Sequence, residues 1–353
     1  MPVLARSDES TTMNINPRQP LPSGDAGDGP DISVEVAICC ATRRRPNMLG
    51  ALLQSWACLE FPPEVIPLFV VVENDEAGRN EANVDRFRAN LRFGDVVYRL
   101  ETEIGIPYAR NAAVAAALSR GAQIICFVDD DETVAPDWFL QLYSTYRRSN
   151  AQLIGGPVRA GSLRTTGSAY RRLIDGGIRR RYEIVERKAR GRLRSAGATT
   201  TILTNNWFAD AALFTEHGLR FDQSLRYSGG SDTQFFREAV AKGIRTAWSP
   251  DAIVFETIAP ERATLRYQFW RASEQSKNSV RAKIARTGRM KALPRVVALT
   301  LGRLVGMLLL FLAIPFSGGR TLVPMARTAG WIFGRIAGLL GYSSNLYRHE
   351  TGF

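Results

Sequence analysis

Apolar residues fall into short, closely spaced runs through the first half of the chain. Residues 34–41 read VEVAICCA, and the polar turn Thr42, Arg43, Arg44, Arg45, Pro46, Asn47 follows. A β-branched run with so little alternation predicts a strand buried on both faces. Between residues 48 and 59, Leu49, Leu52, Leu53 and Trp56 recur at helical spacing, and residues 66–72 form a second apolar run ending at Glu73, Asn74, Asp75. These segments predict a β-α-β unit. The pattern repeats with a strand over 96–100, an alanine-rich helix over 106–118 with Pro107 in its first turn, and a strand over 124–128. Asp129, Asp130 and Asp131 follow that last strand directly. The alternation implies an α/β fold, a mostly parallel, Rossmann-like sheet flanked by helices. Ligands bind such sheets beyond the carboxyl ends of the strands, so residues 42–45, 73–75 and 129–131 should converge on one crevice.

Beyond residue 153 the periodicity loosens. The pattern predicts a basic helix over 170–194, a Thr-rich run over 199–204, helices over 208–217 and 233–242, and short strands over 244–248 and 252–255. The C-terminal quarter is more apolar. Residues 296–316 contain one charge, Arg303, and are long enough to cross a bilayer. Arg303 counts against a span, because a charge in hydrocarbon is costly unless it reaches the interface or a partner. Residues 321–342 are apolar but hold Arg327 and Arg335. The expectation is a membrane-embedded or interfacial helical hairpin, in preference to helices packed on the soluble domain.

At 353 residues and 45% hydrophobic content the chain can build a real core. Residues 1–32 differ, being dominated by Ser, Thr, Pro, Gly and Asp, and read as a disordered tail with no leader for secretion. The net charge of +12 gathers at Arg43–45, 171–194 and 262–289, and the last cluster runs into the apolar quarter. That order favours the cytoplasmic face of the inner membrane over nucleic acid. Cys39, Cys40, Cys58 and Cys126 lie in or beside apolar runs, as buried reduced thiols do, and His217 and His349 carry no motif.

Three consecutive carboxylates repel one another unless a cation or hydrogen bonds compensate. Mg²⁺ and Mn²⁺ take carboxylate oxygen together with substrate phosphate, and in an extended segment Asp129 and Asp131 share a face. A solvated acidic turn before Pro136 is the competing reading.

The strings VAICCATRRRPNML, VVVENDEAG, GIPYARNAAVAAAL, IICFVDDDETVAPDWF and SGGSDTQFF, in this order, resemble the family 2 inverting glycosyltransferases of the GT-A fold, and the bacterial succinoglycan and exopolysaccharide type among them. The likeness covers residues 34–277. It implies a nucleotide-sugar half over 33–150, an acceptor half over 151–285 and a membrane-associated helical region over 290–345. Thr42, Arg43, Glu73 and Asp75 would line the nucleoside pocket, although the family usually has Asp where Glu73 stands. Arg110 and Asn111 would reach ribose or phosphate, and Asp129 and Asp131 would bracket ribose and Mn²⁺ or Mg²⁺. Glu256 would be a further metal ligand in place of the family's His, or a salt-bridge partner of Arg262. Asp232 would be the general base, although serine precedes it where the family commonly has Glu, and an N-cap for a helix from Thr233 is a second use. Asp130 has no implied role. The implied reaction takes a sugar from a nucleoside-diphosphate donor, a UDP-sugar, to a hydroxyl acceptor, lipid-linked or on a cell-surface polysaccharide precursor, with no nucleic acid involved. A sugar nucleotidyltransferase is one alternative, against which the lack of glycines in CCATRRRP counts. A non-enzymatic, basic, membrane-peripheral binding protein is the other.

Overall fold

In the computed structural model, which describes residues 33–161, 168–193, 200–226 and 229–342, the apolar runs of the first half become the strands of one sheet. The tail expected over 1–32, residues 343–345 and Thr199 lie outside the described residues. The elements begin with β1 (Val34–Thr42), α1 (Pro46–Trp56), β2 (Val65–Glu73), α2 (Glu81–Asn90), β3 (Asp95–Leu100), α3 (Ile106–Ser119) and β4 (Ile124–Phe127). β1 pairs in parallel with β2 on one side and β4 on the other, and β3 pairs in parallel with β2.

Period-two geometry divides the side chains of β1 between two apolar layers. Val36, Ile38 and Cys40 pack with Leu49, Leu52, Leu53 and Trp56 of α1. Ala37 and Cys39 face the other way, onto Ala109, Ala112, Ala113 and Ala116 of α3. The alanines explain the close seating of α3, since a small side chain lets the helix approach the sheet.

The second half adds β5 (Glu132–Val134), α4 (Trp138–Arg148), β6 (Leu153–Gly155), β7 (Val158–Ala160), α5 (Ala169–Leu193), β8 (Trp207–Asp210), α6 (Ala212–Thr215), α7 (Ser231–Ala241), β9 (Thr246–Trp248) and β10 (Val254–Glu256). Seven strands form the main sheet in the order β3-β2-β1-β4-β8-β6-β9, and β5-β10-β7 form a small second sheet. β8 is antiparallel to both neighbours. This corrects the helix expected over 208–217: Phe208 enters one layer while Trp207 and Ala209 enter the other, a strand's alternation, and only a single turn of helix follows. Among the cysteines, Cys39, Cys40 and Cys126 are buried, and Cys58 is exposed, contrary to expectation; all four are free.

The chain ends in α8 (Leu265–Thr287), α9 (Arg289–Leu312), α10 (Ile314–Ser317) and α11 (Leu322–Leu339). α11 lies on α8 through Gly330, Gly334 and Gly338. A Cβ at Gly330 or Gly334 would collide with the carbonyls of Phe269 or Ser273, and one at Gly338 would meet Val280 and Lys277. Such i, i+4 glycines let two helix backbones touch. Arg327 closes the seam by donating to Gln268 at 3.0 Å and Gln275 at 3.1 Å. Residues 321–342 are thus packed on a polar helix. Among the described residues, α9 alone is long and apolar enough to cross a membrane, and very little of it is buried.

Candidate active site

The three polar turns meet at the carboxyl ends of β1, β2 and β4. Asp130 is the most buried of the three consecutive aspartates. Its oxygens accept from Thr42 Oγ1 and Arg45 Nη1, each at 2.8 Å, so it ties the end of β4 to the turn after β1. Burial pushes its carboxyl up to about 6, against the opposing pull of Arg45. Asp131, also buried, accepts from Arg262 Nη1 at 2.7 Å and lies 3.4 Å from Arg45 Nη1. Its carbonyl accepts from Thr257 N at 2.7 Å, which fixes the segment after β10.

Asp129 is the open member of the run. Its side chain is 41% exposed, with Oδ1 on Arg110 Nη2 at 3.0 Å. Loss of hydration raises its carboxyl, Arg110 lowers it, and the charges of Asp131 and Asp232 raise it further. Glu132, unnoticed in the sequence, is buried and accepts from Asp129 N at 2.9 Å. Burial, then the charges of Asp129, Asp131 and Glu256, hold it well above the usual carboxylate range. Glu256 lies directly across from Glu132 in the β10–β5 pair and accepts from Tyr182 Oη at 2.5 Å. The salt bridge considered between Glu256 and Arg262 is replaced by the Arg262–Asp131 pair.

Asp232, on α7, is near enough for its charge to raise the Asp129 carboxyl. The helix starts at Ser231, two residues before the expected Thr233, and Gly230, not Asp232, is its N-cap at φ 90°, a left-handed position that suits glycine. Asp232 therefore sits in the first turn, where Oδ1 accepts from Thr233 N at 2.6 Å. Among the described residues its other oxygen accepts no hydrogen bond.

The remaining expected residues divide. Arg43 is half-buried, and among the described residues its enclosed Nε has no hydrogen-bond partner. Asp75 is taken by Arg44, which grips it through Nε at 2.7 Å and Nη2 at 2.9 Å. Arg44 itself adopts φ 55°, a left-handed conformation uncommon outside glycine, and this ion pair holds it there. Glu73 has a different task from the one the likeness implies. Fully buried, it accepts from Arg79 N, Asn80 N, Asn80 Nδ2 and Tyr98 Oη, and so anchors the loop after β2. Asn111 is engaged at both ends of its amide by the main chain of Phe221, at 2.8 and 3.0 Å, which joins α3 to the segment before α7.

Residues 41–213 match the family described as glycosyl transferase family 2. Over 236 residues the chain is 31% identical to the succinoglycan biosynthesis protein ExoM of Rhizobium meliloti, covering 67% of this chain and 70% of that protein. The chain belongs to glycosyl transferase family 2. This glycosyltransferase is also 29% identical to the glucosyl-dolichyl phosphate glucuronosyltransferase of Haloferax volcanii, over 36% of this chain and 38% of that one. Among solved structures it is similar to the mannosyltransferase PcManGT from Pyrobaculum calidifontis in complex with GDP-Man and Mn²⁺. The TM-score is 0.54 and the identity 18%, covering 89% of this chain and 88% of that one, a likeness of fold.

Sequence reasoning missed Glu132, gave Arg45 no role beyond its place in the 42–45 turn, and paired Arg262 with Glu256 instead of Asp131. The signal for Arg45 was present, because Arg43, Arg44 and Arg45 precede a helix, but which of the three turns inward depends on the left-handed bend at Arg44. Arg262 is 131 residues from its partner, and nothing local marks the pair.

Proposed function

We propose that this glycosyltransferase moves a sugar, with inversion, from a UDP-sugar to a hydroxyl of a lipid-linked or cell-surface polysaccharide precursor. It does so at the cytoplasmic face of the inner membrane, with which its C-terminal helices associate. The observation that carries the reading is the meeting of Asp129 and Asp131 with Arg110 and Arg262 at the strand ends, with the half-buried Asp232 acting electrostatically on Asp129.

Donor recognition has support in Arg43. A buried guanidinium nitrogen without an acceptor is costly, and a nucleotide oxygen would satisfy it. Thr42 lines the same turn through its main chain while its hydroxyl stays on Asp130. The charges of Asp131 on Asp129, and of Asp129, Asp131 and Glu256 on Glu132, oppose ionisation even beside the arginine pairs, and hard carboxylate oxygens are the donors that Mn²⁺ or Mg²⁺ takes. Among the described residues no three acidic, Cys or His side chains form a ready cage, so Asp129 and Asp131 would hold the ion together with donor phosphate. Bound there, a divalent ion supplies charge neutralisation for the departing diphosphate.

The chain's own part follows from the free carboxylate oxygen of Asp232. It accepts the proton of the acceptor hydroxyl as that oxygen bonds to the anomeric carbon and the bond from this carbon to the donor phosphate breaks. Arg110 orients Asp129, and Arg45 and Thr42 fix, through Asp130, the segment after β4 that carries Asp129 and Asp131. Titration of UDP by calorimetry, with and without Mn²⁺, tests the reading. Binding that strengthens with Mn²⁺ is expected, and no UDP affinity under either condition overturns it. Membership of the family sets aside the nucleotidyltransferase and non-enzymatic alternatives.

A further inference from the structure

The apolar length of α9 is compatible both with crossing a bilayer and with lying in its surface, and the packing of its neighbours distinguishes the two. Gly330, Gly334 and Gly338 of α11 meet Phe269, Ser273 and Lys277 of α8 in turn, so these helices run parallel and side by side. α9 returns antiparallel against them. Arg335 donates to the Leu299 carbonyl at 2.6 Å, and Arg303 stands 4.7 Å over the Trp331 ring. A spanning α9 would therefore carry α8 into hydrocarbon along its length. α8 holds Arg266, Arg271, Glu274, Lys277, Arg281, Lys283 and Arg286, each costly there.

The outer side of α9 cannot remain in water at low cost either. Leu301, Leu304, Val305, Leu308, Leu309 and Leu312 are all exposed, a contiguous apolar face larger than a soluble protein carries without a partner. Charge selects the partner. Residues 275–349 contain no Asp or Glu, and their twelve Lys and Arg equal the whole net charge of +12. A second copy would set like charge against like, whereas an anionic lipid surface complements it.

We propose that α9 lies in the plane of an anionic membrane surface, its apolar face in the boundary between headgroups and acyl chains. α8 and α11 then sit above it in the aqueous layer. This rests on the membrane association proposed above and decides its form. Val323 of α11 packs with Ile174 and Ile178 of α5 and with Ile258 just after β10, close in sequence to Glu256 and Arg262. The bilayer surface thus adjoins the acceptor side of the site, where a lipid-linked acceptor would arrive.

Spin labels placed on the full chain by Leu301→Cys, Leu308→Cys and Leu312→Cys, each in a Cys58→Ser background because the other native thiols are buried, report depth on vesicles of phosphatidylcholine with phosphatidylglycerol. An in-plane helix gives three shallow, similar depths. A spanning helix separates positions 301 and 312 by about 16 Å in depth, and that profile overturns the proposal. Binding should be about tenfold or more tighter with phosphatidylglycerol than with phosphatidylcholine alone. The double variant Leu308→Asp/Leu312→Asp should lower it by about tenfold or more, with donor hydrolysis in solution unchanged. Failure to bind either vesicle while hydrolysis persists overturns the membrane surface and leaves the transfer reaction standing. A lipid-free dimer that covers α9 overturns the proposal in favour of a second copy.

Discussion

The crevice at the strand ends and the C-terminal helices handle charge in opposite ways. In the crevice, Asp75, Asp129, Asp130 and Asp131 each meet an arginine within hydrogen-bond distance. The helices after Glu274 contain only basic charges, and α9 exposes leucines beside them. The first region is nearly complete in itself, its acids and bases balanced by the fold, with Asp129 and the Arg43 Nε left for a ligand. The second lacks both the anions and the apolar cover that would complete it. A charge-balanced region reads as a site that binds something small; a one-signed, apolar one reads as a surface that needs something large.

The largest effect should come from the crevice. Asp232→Asn keeps the shape and the Thr233 contact but removes the proton acceptor, so transfer should fall by about 10²–10⁴-fold. UDP affinity and thermal stability should stay near those of the parent. Steady-state transfer measured beside a UDP titration checks this, and a variant within tenfold of the parent rules Asp232 out as the base. Asp131→Ala sharpens the contrast, because it should weaken UDP binding in Mn²⁺ as well as turnover.

How far the sequence revealed these two regions follows from how local each signal was. The buried strands and the aspartates behind 124–128 were legible because period and punctuation are local. β8 was misread because FADAALF is rich in alanine, and only its place between two apolar layers makes a strand of it. Asp130 was unassigned because its partners, Thr42 and Arg45, are 88 and 85 residues away. Glu73 was read as a pocket residue because its position at a strand end was visible, whereas the four donors that surround it belong to a loop and a neighbouring strand. In the C-terminal quarter, hydropathy grouped α9 with α11. The glycines at 330, 334 and 338 carried the distinction, since that spacing marks a helix pressed against another backbone.

The next effect in size tests the claim that α11 belongs with α8. Gly334→Leu places a side chain against the Ser273 carbonyl, where no rotamer relieves the clash because the obstacle is backbone. A loss of about 1–3 kcal/mol is expected for such overpacking, seen as a lower unfolding temperature of the full chain. Gly338→Ala, whose added carbon would sit at 3.1 Å from Val280 Cβ, should cost less. Equal effects at the two positions would mean that the seam is looser than its geometry. UDP binding should survive both, because no donor-side residue lies on α11.

The smallest effect concerns the pairing that makes the crevice self-sufficient. The hydrogen bonds from Arg44 hold the Asp75 carboxyl below its ordinary value, with burial opposing. A carboxyl depressed in the folded state contributes stability that is fully present above the unfolded value, about 3.9, and is lost as pH falls through the lower folded one. Asp75→Asn cannot titrate and lacks that contribution at every pH. The stability gap between parent and variant should therefore be constant from about pH 7 to 5 and shrink below about pH 4. Chemical unfolding of both proteins across that range measures the gap. A gap that widens on acidification would mean that the folded state raises the Asp75 carboxyl instead of lowering it, and that the Arg44 pair does not stabilise the carboxylate.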